Sequence, residues 1–207
     1  EGDWQPGAAS RWWLHHSLQR LAESLRARGA ALHVRRGPTL QALLAVARET
    51  GATQVVWNRL YEPAITARDA RVAAGLDESG LLAESFNAAL LVEPWETRTA
   101  QGAPYQVFTP FWRSCSASVA SQPRPQPAPA RIAGAVVTAP GLALGELELL
   151  PRVRWDAGLA AAWTPGEQGA LDRLEAFCGQ EVAGYNEGRN RPELPDTSRI
   201  SPHLHFG

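Results

Sequence analysis

The chain has 207 residues, of which 44% are hydrophobic, and its 20 basic and 21 acidic side chains give a net charge of −1. This length fits one large or two small domains with enough apolar residues for a core, and the balanced charge gives no sign of a polyanionic partner. The two cysteines lack metal-site spacing and fit reduced thiols in the cytoplasm, and no apolar run is long enough to cross a membrane.

The two ends of the sequence indicate a piece of a longer protein. The chain begins with Glu1, contains no methionine and stops at Gly207, a few residues into a predicted helix. We therefore expect both termini to have been cut from a longer reading frame.

Apolar residues switch between helical and strand spacing in the first half of the chain. Helical spacing follows Ser10, Pro38 and Pro63, and strands are predicted at 30–34, 54–57, 81–86 and 90–92. Strands that alternate with helices over short loops predict an α/β fold, in which helices cover a parallel sheet. Because the sequence opens on a loop and a helix, we expect the first strand of this sheet to be missing.

The second half of the chain has a different composition. Residues 105–113 (YQVFTPFWR) predict a buried aromatic stretch, and residues 114–129 are rich in Ser, Pro and Ala and predict an extended linker. Thr164, Pro165 and Glu167 predict a capping box at the start of a helix that leads to Tyr185. We therefore divide the chain into an α/β domain at 1–113, a linker at 114–163 and the start of an all-helical domain at 164–207.

The last stretch has the most distinctive chemistry. Thr197, Ser198 and Arg199 precede Ser201 and a proline, which predicts a helix start with Ser201 as the N-cap residue. Helix N-termini have unpaired N–H groups, so these side chains predict a cradle for a phosphate or pyrophosphate. An ordinary capped helix explains the same residues without a ligand.

The run RNRPELPDTSRISPHLHFG resembles the flavin-binding segment of the DNA photolyase/cryptochrome family, where a T-S-R-L-S run wraps the FAD phosphates. In that family a tyrosine twelve positions upstream also contacts the cofactor, and Tyr185 and Thr197 have this separation. The run YQVFTPFW resembles a second hallmark, which closes the family's α/β domain. Two departures are visible, because Ile200 stands where leucine is usual and Asp196 where glycine is expected.

The resemblance implies a Rossmann-like antenna domain, a linker and the start of an all-helical FAD domain. It also implies light-driven repair, in which reduced, excited FAD passes an electron to a pyrimidine dimer in DNA and later recovers it. The corresponding enzyme is a deoxyribodipyrimidine photo-lyase acting on damaged DNA as a cytoplasmic monomer. The alternatives are a cryptochrome photoreceptor without repair activity and a non-catalytic nucleotide-binding α/β module.

Residue roles follow from the resemblance alone. No catalytic side chain or metal ligand is implied, and Arg189 matches a position that faces DNA phosphates in some photolyases. The residues implied to bind FAD are Tyr185, Thr197, Ser198, Arg199, Ile200 and Ser201.

The antenna chromophore is left open by the same comparison. Residues 57–63 (WNRLYEP) resemble the carboxyl edge of the antenna domain, but Ala64 and Ile65 stand where folate-binding members have an Asn-Glu pair. We therefore expect no folate at this place, and any antenna chromophore has an unknown identity. The 207 residues alone are expected to bind FAD poorly and to lack repair activity.

Overall fold

The structure is a computed structural model that describes residues 5–120, 122, 126–137, 139 and 141–206. Two strands are present in these ranges, β1 (Gln54–Asn58) and β2 (Leu82–Phe86). Short 3-10 turns at Leu144–Leu147 and Val182–Gly184 and a π turn at Phe177–Glu181 complete the regular structure of these ranges. The α-helices are α1 (Ala8–Ala27), α2 (Thr39–Thr50), α3 (Pro63–Glu78), α4 (Phe108–Ala120), α5 (Ala157–Ala162), α6 (Glu167–Ala176), α7 (Tyr185–Gly188) and α8 (Ser201–Phe206).

The two strands are parallel, and α3 connects them. Their register runs from Gln54 opposite Leu82 to Asn58 opposite Phe86. Parallel neighbours need a crossover of this kind, because a tight turn cannot return the chain to the same end of the sheet. The predicted α/β class is therefore confirmed.

The core of this first part lies where α3 meets its neighbours. Leu76 of α3 is fully buried, and Val72, one turn earlier, is also buried. Gly75 allows α2 to approach closely, because a Cβ at this position would lie 2.4 Å from the Leu40 side chain. Val72 and Leu76 form the buried face of α3, which agrees with the helical spacing predicted after Pro63.

Two of the predicted strands are wrong in the described structure. Residues 30–34 have no ladder partner; instead, the Ile132 and Leu142 N–H groups donate to the carbonyls of Arg28 and Val34 at 2.7 and 2.9 Å. Residues 90–92 follow a turn in which the Asn87 side chain accepts from the Leu90 N–H at 3.0 Å. Alternation of apolar and polar residues shows that one face of a segment can be buried. The segment becomes a strand only if a neighbouring backbone forms ladder hydrogen bonds with it.

The aromatic run at 105–113 differs from the prediction in burial and in length. Phe108 is 70% exposed and Trp112 48% exposed, so this stretch is a surface rather than a buried core. Phe108 and Trp112 stack on each other with ring centroids 6.2 Å apart. The helix that contains them continues to Ala120, so residues 114–120 are helical and not an extended linker.

The predicted capping box is also wrong. Gly166, with a φ of 101°, directly precedes α6, and the helix begins at Glu167. Thr164 cannot act as the N-cap residue, because this left-handed glycine separates it from the helix. After Ala176 the chain passes through the π and 3-10 turns before α7, so the helix to Tyr185 is interrupted.

Two tryptophans of α1 connect this helix to the second half of the chain. Trp12 is 2% exposed, and its Nε1 donates to buried Asp156 at 3.1 Å. Trp13 contacts Trp163, His203 and Phe206 with ring centroids 5.6, 4.9 and 6.1 Å away. We call these contacts the tryptophan seam. None of the helices in the described part is both long and apolar enough to cross a membrane.

Replacing Asp156 by alanine should destabilise the fold through this seam. The change leaves the buried Trp12 Nε1–H without its acceptor, which costs about 1–3 kcal/mol. Urea denaturation should show this loss in the free energy of unfolding, and Asp156→Asn, which keeps an acceptor oxygen, should recover most of it.

The control is Arg154→Ala, which removes the ion pair of Asp156 with a side chain that is 85% exposed. An exposed pair contributes about 0–1 kcal/mol, so this variant should remain close to the wild type. Equal unfolding free energies for Asp156→Ala and Arg154→Ala would contradict the role given to the seam.

Candidate functional site

The segment Thr197–Ser201 forms a turn that leads into α8. The Thr197 N–H donates to the Pro195 carbonyl at 2.8 Å, and Arg199 has a φ of 52°. A left-handed backbone is uncommon outside glycine, because the Cβ crowds the following carbonyl. At Arg199 this conformation redirects the chain just before the helix.

The helix begins one residue earlier than the sequence predicts. Ser201 is the first residue of α8, and the Ile200 carbonyl accepts from the Leu204 N–H at 3.0 Å. The assignment of Ser201 as the N-cap residue is therefore wrong. The following proline is tolerated because N–H groups in the first turn have no partner within the helix.

Arg173 of α6 holds the beginning of this turn. Its Nε donates to the Ser198 carbonyl at 2.9 Å and its Nη2 to the Thr197 carbonyl at 2.7 Å. The same guanidinium forms a bidentate ion pair with the carboxylate of Glu181. No sequence pattern singles out Arg173, because an arginine on a helix is usually solvated and only the fold brings it to a segment further along the chain.

Tyr185 and Arg189 lie together at α7. The Arg189 guanidinium lies 5.4 Å from the centroid of the Tyr185 ring, which is within the range of a cation–π contact. Phe177 meets the same ring edge-on with centroids 5.8 Å apart. The residue predicted to bind the flavin and the residue predicted to bind DNA are thus in contact with each other.

Asp196 connects α7 to the turn. A Cβ at Gly188 would lie 2.2 Å from the Asp196 Cβ, and one at Gly184 would lie 3.1 Å from its Oδ2. The carboxylate that replaces the family's expected glycine therefore packs against these two glycines. This packing places the Tyr185 segment directly beside the residue that precedes Thr197.

The Arg199 side chain lies on an aromatic ring. Its guanidinium carbon is 4.5 Å from the centroid of the Trp163 ring. Beside it is a cavity of about 300 Å³, lined in part by Trp163, Asp172, Arg173, Arg199 and His203. This volume is at the lower end of small-molecule sites, about 300–1,000 Å³, so the cavity can take part of a dinucleotide and not the whole.

His203 connects the site to the tryptophan seam. It is buried in α8, contacts Trp13 and forms a hydrogen bond to the backbone of Gly166. Burial lowers the pKa of His203 below 6.5, and the hydrogen bond to Gly166 acts in the opposite direction. The neutral imidazole is therefore the form that fits the fold.

A second polar cluster lies at the carboxyl ends of β1 and β2. Buried Glu93 pairs with Arg59 and accepts from the Tyr61 hydroxyl at 2.7 Å. Burial raises the pKa of Tyr61, and the hydrogen bond to Glu93 acts in the same direction. The adjacent first turn of α3 contains Ala64 and Ile65, which supply no polar side-chain atom. Within the described ranges, no three His, Cys, Asp or Glu side chains form a group that could hold a metal.

A parallel strand–helix–strand unit, followed by a helical segment that α1 contacts through Trp13, defines a Rossmann-like α/β protein with a helical second part. The chain belongs to the DNA photolyase family, whose model, described as DNA photolyase, matches residues 1–130. The family includes photolyases and cryptochromes, and relatives of both kinds are similar to this chain.

Among curated relatives, the deoxyribodipyrimidine photo-lyase of Agrobacterium fabrum is 41% identical over 97% of this chain. Cryptochrome-1 of Arabidopsis thaliana is 36% identical over 100% of the chain. The chain spans 42% of the first relative and 30% of the second, so it covers less than half of either.

Solved structures agree with the fold. The crystal structure of a bacterial class III photolyase from Agrobacterium tumefaciens superposes with a TM-score of 0.88 at 39% identity, over 98% of this chain and 42% of that one. A Synechocystis cryptochrome, at 23% identity, matches with a TM-score of 0.79 over 96% of this chain and 42% of that one, which supports the fold alone.

Acidification should destabilise the protein through His203 and His16. Burial lowers the pKa of both imidazoles below 6.5, and neighbouring His15 lowers that of His16 further. Below pH 6.5 the unfolded chain therefore binds more protons than the folded one. The free energy of unfolding should be fully retained above that pH and should fall as the pH drops through the lowered values.

Urea denaturation at a series of pH values measures this dependence. His203→Gln should make it shallower, whereas His33→Gln, at an exposed position outside the seam, should leave it unchanged. An unchanged slope in His203→Gln would refute the assignment.

Proposed function

We propose that the protein is a flavin-dependent photolyase that uses light to repair pyrimidine dimers in DNA. The supporting observation is the 41% identity to a deoxyribodipyrimidine photo-lyase across both the α/β part and the helical part of the chain. The structural similarity to a bacterial class III photolyase covers the same two parts. The division into an antenna domain at 1–113, a linker and a helical FAD domain from 164 belongs to this proposal.

The turn at Thr197–Ser198 fits the diphosphate of FAD. The two backbone carbonyls are bound by Arg173, and the two hydroxyls have no hydrogen-bond partner among the described residues. Hydroxyls and N–H groups that are not bound within the protein can donate to a phosphate. Arg199 adds a positive charge beside them, held on the Trp163 ring.

The chemistry itself is supplied by FAD, which when reduced and excited transfers an electron to the dimer and takes it back. The residues of this chain bind and orient the cofactor. Tyr185 lies in the segment whose Gly184 and Gly188 pack on Asp196, Ile200 is half-buried, and Ser201 begins α8. None of these side chains exchanges a proton or a covalent bond in the proposed role.

Arg189 is proposed to contact the phosphate backbone of DNA. Its side chain is exposed and has no carboxylate partner among the described residues. Its cation–π contact with Tyr185 would place the DNA contact and the flavin contact side by side. The proposed partner is therefore DNA that contains pyrimidine dimers, bound by a cytoplasmic monomer.

A cryptochrome-type photoreceptor is the second candidate. The observation in its favour is the 36% identity to Cryptochrome-1 of Arabidopsis thaliana over the whole chain. Light-dependent loss of cyclobutane dimers from an irradiated oligonucleotide, with the full-length protein in catalytic amounts, supports the photolyase. Flavin photoreduction without any loss of dimers supports the photoreceptor.

Ser198→Ala and Arg199→Ala should weaken FAD binding about tenfold or more in the full-length protein, because hydrogen bonds to charged groups contribute about 1.5–3 kcal/mol. Arg189→Ala should leave flavin content unchanged. Arg189→Ala should weaken the binding of damaged and undamaged DNA alike. It should also make the salt dependence of binding shallower, because one phosphate contact is lost.

Flavin occupancy from the absorption spectrum and DNA affinity at two salt concentrations separate these roles. The assignment fails if Arg189→Ala loses flavin while the other two variants keep it. It also fails for DNA if Arg189→Ala changes neither the affinity nor the salt dependence.

The 207-residue chain alone should bind FAD weakly and should show no repair. The cavity beside Arg199 has a volume of about 300 Å³, and tight binding of a large cofactor requires that most of its surface be enclosed. Titration of the isolated chain with FAD, followed by flavin fluorescence, measures this, and a micromolar or tighter dissociation constant would contradict it.

A further inference from the structure

Arg173 of α6 binds two separate segments of the described chain. Its guanidinium donates four hydrogen bonds, two to the Thr197 and Ser198 carbonyls and two to the carboxylate of Glu181. A guanidinium has five N–H donors, so only one remains for any other group. Its side chain is 24% exposed, which limits its access to a ligand.

The two carbonyls fix the direction of two peptide groups. In a trans peptide the C=O of one residue and the N–H of the next point to opposite sides, and the described chain has no cis bonds. Because the Thr197 and Ser198 carbonyls both meet Arg173, the N–H groups of Ser198 and Arg199 point away from it. Successive N–H groups on one side of a turn form a concavity that binds anions.

Glu181 connects Arg173 to the segment that contains Tyr185. It ends the π turn, and the 3-10 turn Val182–Gly184 connects it to Tyr185. Arg173 therefore links the turn at Thr197 to the segment that delivers Tyr185. Glu181 also neutralises the positive charge of Arg173. Arg173 therefore binds the backbone of the turn and has little net charge with which to attract a phosphate itself.

We propose that Arg173 is the positioning residue of the diphosphate turn, which it orients so that the Ser198 and Arg199 N–H groups face the FAD diphosphate. This inference rests on the proposed flavin function. Arg173 acts through the backbone of the turn, because four of its five N–H donors are already bound within the protein. Lysine cannot replace it, because a single ammonium lacks the planar fork that reaches both carbonyls and the carboxylate.

The experiment measures affinity for FAD and for riboflavin, which has the same ring system without the diphosphate. In the full-length apoprotein, Arg173→Gln and Arg173→Lys should lower the affinity for FAD by about tenfold or more. The affinity for riboflavin should stay within about twofold of the wild type. A purely structural role would weaken both ligands equally. The matched control is Arg191→Gln, which removes an arginine that also pairs with carboxylates but contacts no carbonyl of the turn.

Thermal unfolding of each apoprotein shows whether a variant has folded. If Arg173→Gln does not fold, Glu181→Gln is the test, because it leaves the guanidinium its two carbonyl acceptors. It should give a smaller loss that is again confined to FAD.

The outcomes separate this inference from the function on which it rests. Unchanged FAD affinity in Arg173→Gln, or equal losses of FAD and riboflavin, overturns the positioning role while the flavin function stands. Absence of FAD binding by the wild type overturns both.

Discussion

The tryptophan seam is the contact on which the position of α1 against the second half of the chain depends. Trp12 and Trp13 are adjacent on α1, yet Trp12 hydrogen-bonds to Asp156 and Trp13 contacts the rings of Trp163, His203 and Phe206. Neighbouring residues on a helix point about 100° apart, so the pair can contact two segments at once. Large aromatic side chains bury extensive apolar surface, so the seam stabilises the contact between α1 and the second half of the chain.

The tryptophan seam also contacts the proposed cofactor turn. His203 of α8 contacts Trp13, and Arg199 lies on Trp163, which also contacts Trp13. The turn Thr197–Ser201 is therefore held on one side by rings that contact Trp13 of α1 and on the other by Arg173 of α6. A site for a large flavin requires this kind of support, because affinity depends on groups that are already in position before the ligand arrives.

The departures from the sequence-based expectations share one cause. The strand at 30–34, the buried aromatic run at 105–113 and the capping box at Thr164 all follow from local spacing or composition. In the structure, the segment 30–34 hydrogen-bonds to a loop instead of a strand. Phe108 is exposed, and α6 begins after Gly166, which has a left-handed backbone. Local patterns describe which conformations a segment can adopt, while the partner that stabilises one of them lies elsewhere in the chain.

The sequence by itself determined the α/β class, the helical character of the last part and membership of the photolyase/cryptochrome family. These depend on periodicity and on contiguous motifs such as Thr197–Ser201, which are readable without a fold. Only the tertiary structure revealed the seam of Trp12 and Trp13, the packing of Asp196 on two glycines and the hold of Arg173 on the turn. Each of these contacts joins different segments of the chain. Its partner is chosen by the geometry of the folded chain rather than by either residue's own neighbours.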